Sequence, residues 1–443
     1  MCVINLNPPV SQDFSRALHH LSPQLKVSTF PANSYLDSDE LWSGIPDAAS
    51  NDYVAGLFED IKWGDAWPDD GDTTELSYYL YDGESAVYAS DSNLFGQELH
   101  DKERAAILSS MDAFANVTAI TFDETTDKEE ANISFLMMNN DDSDGYLGWA
   151  NYPGTSPYGD TYSTVNNEFY DLDSDPDAVD PGSYYYLTFT HELGHALGMG
   201  HPHDGDTQFP GVSDGGSTEG GDNNLNATPW TVLSYNDVTA TNGLSPGDSE
   251  HEGFLENLGV FDIATAQYLY GPNLQSNSGD TVYKLNEYEL NGYRSIWDVS
   301  GTDTIDASDS SSSVSIDLRN ATLENEFGGG GFLSKIDDEY KGYTIAFDSL
   351  THAELPDYEA VIENAKGSLL SDVLQGNDYA NYLEGKDGDD TLIGGDGADT
   401  MYGGSGDDVY TGGAGGDVFA FDSGSNVVND FDPSSSGDND KIA

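Results

Sequence analysis

Six glycines stand nine residues apart, at 367, 376, 385, 394, 403 and 412, and two other residue types keep phase with them. Asp372, Asn381, Asp390, Asp399, Asp408 and Asp417 hold one position of the frame; Leu374, Leu383, Leu392, Met401, Tyr410 and Phe419 hold another. This is the nonapeptide G-G-x-G-x-D-x-U-x of calcium-binding parallel β-helices. Six residues turn tightly, which needs glycine for positive φ and close backbone approach. Three residues then form a short strand whose apolar side chain points inward. The aspartate and the turn carbonyls offer hard oxygen ligands to Ca²⁺ held between successive coils. The strong repeats span 385–420. Their calcium candidates are Asp390, Asp399, Asp408 and Asp417, with Gly385, Gly394, Gly395, Gly397, Gly403, Gly404, Gly406, Gly412 and Gly413. In the two leading repeats Asn381 replaces aspartate, and Ser368 and Asn377 replace glycine. Those coils are expected to pack but to bind calcium weakly or not at all.

Charge narrows the partners. The chain of 443 residues carries 81 Asp and Glu against 14 Lys and Arg, a formal net charge of −67. Nucleic acid requires a basic footprint and is excluded as a partner; anionic membrane surfaces are disfavoured. With 37% hydrophobic and 12% aromatic residues the chain is not an acidic disordered tail. Cation binding and solvation in salty water remain as uses for the carboxylates. Cys2 is the sole cysteine, so no intrachain disulfide forms. Residues 1–10 have neither a basic n-region nor an apolar h-region, and no stretch approaches a membrane span of about 18 apolar residues. Export, if it occurs, is expected without an N-terminal signal.

Three zones follow from composition. Residues 1–50 are proline-punctuated and read as a leader or pro-segment. Residues 51–273 alternate strand-like and helix-like pieces and read as a mixed α/β, catalytic domain. Residues 274–443 read as short β-runs ending in the repeats, an all-β parallel roll. Within the middle zone, strands are predicted at Thr73–Tyr81 and Ala131–Met138 and a helix over Phe261–Tyr270, stopped by Gly271-Pro272. Gln97–Asn116 is predicted as an amphipathic helix with Ala106, Leu108, Met111 and Phe114 on its apolar face.

That middle zone holds H-E-L-G-H-A-L-G-M-G-H, from His191 to His201. On a helix His191 and His195 are i and i+4, so both imidazoles leave one face and can grip one ion. Glu192 sits beside them, free to handle a water without ligating. Gly198 lets the chain break the helix and return His201 as a third ligand. Three neutral imidazoles leave a coordination position open, the mark of a catalytic zinc site. His203 follows Pro202 and precedes Asp204, and is read as a solvated or supporting residue. His19, His20, His100, His251 and His352 sit in no ligand spacing.

The string H-E-x-x-H-x-x-G-x-x-H resembles that of the metzincin zinc endopeptidases. With a C-terminal nonapeptide roll behind it, the chain from about residue 50 to 443 resembles the serralysin family of secreted bacterial proteases. The resemblance implies an α+β metzincin-like catalytic domain, a twisted sheet plus an active-site helix, followed by the roll. It makes Thr231–Tyr235 the counterpart of the Met-turn, with Leu233 where the family has methionine, a nearly volume-conserving change. It makes Tyr235 a zinc ligand able to swing away and stabilise an oxyanion. It makes Gly145–Gly154 the edge strand onto which an extended substrate adds. It adds Gly301, Asp303 and Glu363 as ligands of a further calcium.

The expected function is therefore a secreted, extracellular zinc endopeptidase acting on polypeptides. Glu192 would be general base, one Zn²⁺ catalytic and several Ca²⁺ structural; the chain would be a monomer without membrane insertion, exported by type I secretion. The alternative is a calcium-organised surface or interaction protein whose protease domain does not turn over. No cysteine-switch pattern surrounds Cys2, so an inhibitory thiolate is not expected. The stop at Ala443, where family members usually continue, reads as a trimmed chain.

Overall fold

The computed structural model describes residues 2–5, 41–43, 51–57, 59, 61–63, 73–83, 98–138, 146–155, 161–205, 207–236, 251–337, 341–347, 360–434 and 439–443. Most of the 1–50 segment, Gly145, His19, His20 and His352 lie outside the described residues. The chain divides into two compact units, Met1–Asn273 and Leu274–Ala443.

The first unit is built on a six-stranded sheet. Its strands are β1 (Cys2–Asn5), β4 (Thr74–Leu80), β5 (Ile120–Glu124), β6 (Ile133–Met138), β7 (Tyr146–Ala150) and β8 (Thr161–Asn166). A separate two-stranded ribbon pairs β2 (Leu41–Ser43) with β3 (Ile61–Trp63). The sheet order is β1-β7-β8-β6-β4-β5. The four inner and far strands run parallel, whereas β7 is antiparallel to β8 and β1 antiparallel to β7. Every residue of β6 is buried, as both faces of a central parallel strand are covered.

Three helices matter for the site: α1 (Asp101–Val117), α2 (Tyr184–Ala196) and α3 (Val260–Tyr270). In α1 a box between His100 and Glu103 fixes the start, with the His100 amide donating to Glu103 Oε2 at 2.7 Å. Its buried face runs through Ala106, Ile107, Ser110, Met111, Phe114 and Val117. Leu108, expected on that face, is exposed. Two helical steps place it about 200° round from Ala106, and Ile107 takes the core position instead.

The second unit is a roll of two sheets across which consecutive strands alternate. One carries Asn364–Lys366, Tyr382–Asp387, Thr400–Ser405 and Val418–Ala420; the other carries Val373–Gln375, Thr391–Asp396, Val409–Ala414 and Val427–Val428. Neighbours within a sheet are parallel and one double repeat apart, Leu383 opposite Met401 and Leu392 opposite Tyr410. Leu374, Leu383, Leu392, Met401, Tyr410 and Phe419 form a wholly buried column down the interior. Towards the N-terminal end of the roll the parallel rule breaks once: Ser334–Ile336 runs antiparallel to both Val314–Asp317 and Gly342–Ile345.

Candidate active site

Helix α2 carries the site and is fixed at both ends. Ser183 caps its start, its hydroxyl accepting from the Tyr186 amide at 3.1 Å. At the other end Trp63 Nε1 donates to the Ala196 carbonyl at 2.9 Å and the Tyr270 hydroxyl donates to Leu197 at 2.6 Å. These bonds satisfy carbonyls that a helix end leaves open. Gly198, at φ 95°, turns the chain out of the helix. Few other residues adopt that conformation without strain, and the turn returns His201 to the same face.

The three imidazoles converge through one nitrogen each. His191 Nε2 lies 2.9 Å from His195 Nε2 and 3.2 Å from His201 Nε2. Each opposite nitrogen is held by an acceptor. His191 Nδ1 faces the Val232 carbonyl at 2.8 Å, His195 Nδ1 the Met199 carbonyl at 2.7 Å, and His201 Nδ1 the Asp204 carboxylate at 2.8 Å. Carbonyls and carboxylates only accept, so each Nδ1 carries the hydrogen and each Nε2 presents a lone pair. Burial also disfavours a second proton. It pushes His191 down to about 4 and His195 and His201 well below the usual imidazole range. Three lone pairs aimed at one point repel unless a cation sits among them. The donor set therefore fits a borderline metal such as Zn²⁺, with each ring oriented by an outer partner. Tyr235 joins the cluster, its hydroxyl 2.8 Å from His201 Nε2.

Glu192 is fully buried beside this point, and neither carboxylate oxygen has a hydrogen-bond partner. Burial holds its carboxyl well above the ordinary range. A cation among the histidines would favour the ionised form in turn. Gly148 of β7 packs against it so closely that a Cβ there would collide with Oε1. Leu233 is wholly buried under α2, where a Cβ at Gly194 would lie 3.3 Å from its Cδ2.

Of the two expectations for His203, solvated or supporting, its burial excludes the first. Its ring stacks on His201 at 4.9 Å and 16° and lies 4.9 Å from Tyr235, leaving Nδ1 without a partner. Its place beside His201 comes from the turn after α2, not from a periodicity. His251 pairs with Asp175 at the surface, and His100 caps α1, both away from the triad.

In the second unit the aspartates of the strong repeats share one geometry. One oxygen of each accepts an amide two repeats back: Asp390 from Asp372, Asp399 from Asn381, Asp408 from Asp390 and Asp417 from Asp399, at 2.8–3.1 Å. The other oxygen of Asp390 and Asp399 is buried without a partner. It packs against Gly385 and Gly394, where a Cβ would overlap it, just as a Cβ at Gly412 would overlap Asp417 Oδ2. Burial pushes Asp390 and Asp399 up to about 7. Such orphaned oxygens in a glycine-lined turn fit Ca²⁺. Asp408 differs, since its second oxygen accepts from the Tyr410 hydroxyl at 3.3 Å. The leading repeats are already satisfied: Asp372 accepts from Ser368 and Val314, while the Asn381 amide donates to Glu363 and Asn377. Gly301, Asp303 and Glu363 are also brought together. Glu363 accepts the Asp303 amide at 2.7 Å, Asp303 Oδ2 is buried and orphaned, and a Cβ at Gly301 would meet Asp303 Oδ1 at 2.8 Å.

Comparison with known proteins agrees with this geometry. The matrixin family matches residues 88–210, and the RTX calcium-binding nonapeptide repeat matches 367–396, 375–410 and 384–419. Fold and site thus define a matrixin-type peptidase domain followed by RTX repeats. Within that class the chain is similar to the serralysins. It is 29% identical to a serralysin of Photorhabdus luminescens over 73% of this chain and 62% of that protein. It is 31% identical to serralysin B of Dickeya chrysanthemi over 50% of each. Metalloprotease AprA of Pseudomonas entomophila is 30% identical over 72% of this chain and 63% of its own length. The chain thus spans between 50% and 63% of the length of these relatives.

Proposed function

We propose that this chain is a zinc-dependent endopeptidase, with residues 51–273 as its catalytic domain and 274–443 as a calcium-dependent roll. The observation that carries the reading is the convergence of three Nε2 lone pairs next to the buried, partnerless Glu192. Zinc held by His191, His195 and His201, with Tyr235 beside them, supplies a Lewis acid that polarises a peptide carbonyl and acidifies water. Glu192 takes the proton from the attacking water on its carboxylate and delivers it to the leaving amine. The Tyr235 hydroxyl donates a hydrogen bond to the carbonyl oxygen as that oxygen gains charge. Strand β7 aligns an extended polypeptide by backbone pairing.

In the roll, Asp390, Asp399, Asp408 and Asp417 with their turn glycines hold structural calcium; Gly301, Asp303 and Glu363 hold a further ion. A glycine-rich chain with repelling aspartates orders only when calcium offsets that cost. This suits a protein threaded out unfolded, by type I secretion, that folds outside as a monomer. Among the described residues no helix is long and apolar enough to cross a membrane. Casein hydrolysis abolished by 1,10-phenanthroline and restored by added zinc is the test. Activity indifferent to the chelator would refute the zinc assignment.

A further inference from the structure

The sheet edge next to the histidines is already taken by the chain itself. Strand β1 pairs antiparallel with β7 along its whole length: Cys2 opposite Ala150, Val3 opposite Trp149, Ile4 opposite Gly148 and Asn5 opposite Tyr146. The other side of β7 is held by β8, with Gly148 opposite Val165. A strand has two edges, so β1 fills the one that β8 leaves. That edge borders the chemistry. Gly148 packs on Glu192, and Tyr152, just beyond the end of β7, stands edge-on to the His195 ring at 5.7 Å.

We propose that Cys2–Asn5 is an internal occupant of the substrate-strand position, competing with extended polypeptides for β7. The inference rests on the reading of β7 as the edge that receives substrate. One row of N–H and C=O groups pairs with one partner at a time, so the two occupancies exclude each other. The antiparallel direction makes β1 an added strand of the kind peptide recognition by strand addition uses. Cys2–Asn5 and β7 belong to one chain, so their pairing is intramolecular, and effective concentrations for such encounters reach the millimolar range. Four paired residues are few, so the strand exchanges with substrate rather than sealing the site. The expected cost is on the order of tenfold in apparent KM with kcat unchanged. Pairing is through the backbone, so the device does not need the Cys2 thiol.

The test uses the full chain with Val3→Pro and Ile4→Pro together. Successive strand amides point to opposite sides, so one of the two substitutions removes an N–H directed at β7 whatever the phase. In a Glu192→Gln background, which cannot cleave the probe, binding of a fluorescein-labelled MCVINLN peptide is followed by polarisation. The proline variant should bind it about tenfold more tightly than the unsubstituted chain, and amides 146–150 should exchange hydrogen faster when no peptide is present. Equal peptide affinity and equal exchange in the two chains would overturn the inference. Both readouts are independent of turnover, so a chain that cleaves nothing sinks the protease reading while this one is still decided. In the Glu192-containing chain Cys2→Ser should leave KM as it is; a fall in KM from that change alone would assign the block to a thiolate and overturn the backbone account.

Discussion

His191 Nδ1 lies 2.8 Å from the carbonyl oxygen of Val232, a residue that Asp262 holds from the other side. The Asp262 carboxylate accepts from the Val232 amide at 2.7 Å, the Gly259 amide at 2.8 Å and the Thr231 hydroxyl at 2.6 Å. This three-point grip aims the Val232 carbonyl, and that carbonyl sets the plane of the His191 imidazole. Such outer partners are worth about 10–100-fold in metal affinity.

Asp262→Ala should therefore weaken zinc binding by about 10–100-fold and destabilise the chain by roughly 1–3 kcal/mol through unpaired buried donors. Asp262→Asn should cost much less. Its carbonyl oxygen still serves both amides, and the Thr231 hydroxyl can turn to accept from the new amide. Chelator competition and urea unfolding measure both quantities; equal losses in the two variants would contradict this role.

The same carboxyl sets a pH dependence. Burial outweighs its three bonds and pushes Asp262 up to about 7. Between its ordinary value near 4 and about 7 the folded chain holds a proton that the unfolded chain has released. Its contribution to stability is full below that window and falls as pH rises through it. In saturating calcium, the melting temperature of Asp262→Asn relative to wild type should rise from pH 4.5 to pH 7. A constant difference would show that Asp262 does not titrate there.

In the roll, the two kinds of aspartate should part company. Asp399→Asn removes a buried oxygen with no protein partner and should lower the calcium content of the full chain or raise the concentration needed, expected near 10⁻⁴–10⁻³ M. Asp372→Asn alters a carboxylate already bonded to Ser368 and Val314 and should leave calcium binding as it is. Calcium titration followed by far-ultraviolet circular dichroism distinguishes them. Identical curves for the two variants would refute the difference.

Leu233→Met should be tolerated, with a change below about 1.5 kcal/mol, because the volumes nearly match. Leu233→Ala should cost about 2–5 kcal/mol, since the side chain is wholly buried against Gly194. Loss of zinc from the methionine variant would show that this contact orders the ligands in some other way.

What could be read in advance was whatever a short period encodes. The nine-residue phase located the interior column from Leu374 to Phe419, and the i, i+4 histidines located the face of α2. In the leading repeats the substituted residues make hydrogen bonds of their own, the Asn381 side-chain amide to Asn377 and the Ser368 hydroxyl to Asp372. Long-range pairings were not. Nothing local in Cys2–Asn5 announces that it lies on β7, and the clamp of Asp262 on Val232 joins segments with no shared motif. The burial of His203 is of the same kind, since Tyr235 and His201 pack over it.

Replacing Glu192 by Gln is the most direct measurement. The substitution keeps the side chain's shape and all three histidines but removes the group that takes the proton. The purified chain should still bind close to one zinc while casein hydrolysis falls to background. Hydrolysis at a rate comparable to wild type, with zinc in place, would contradict the account.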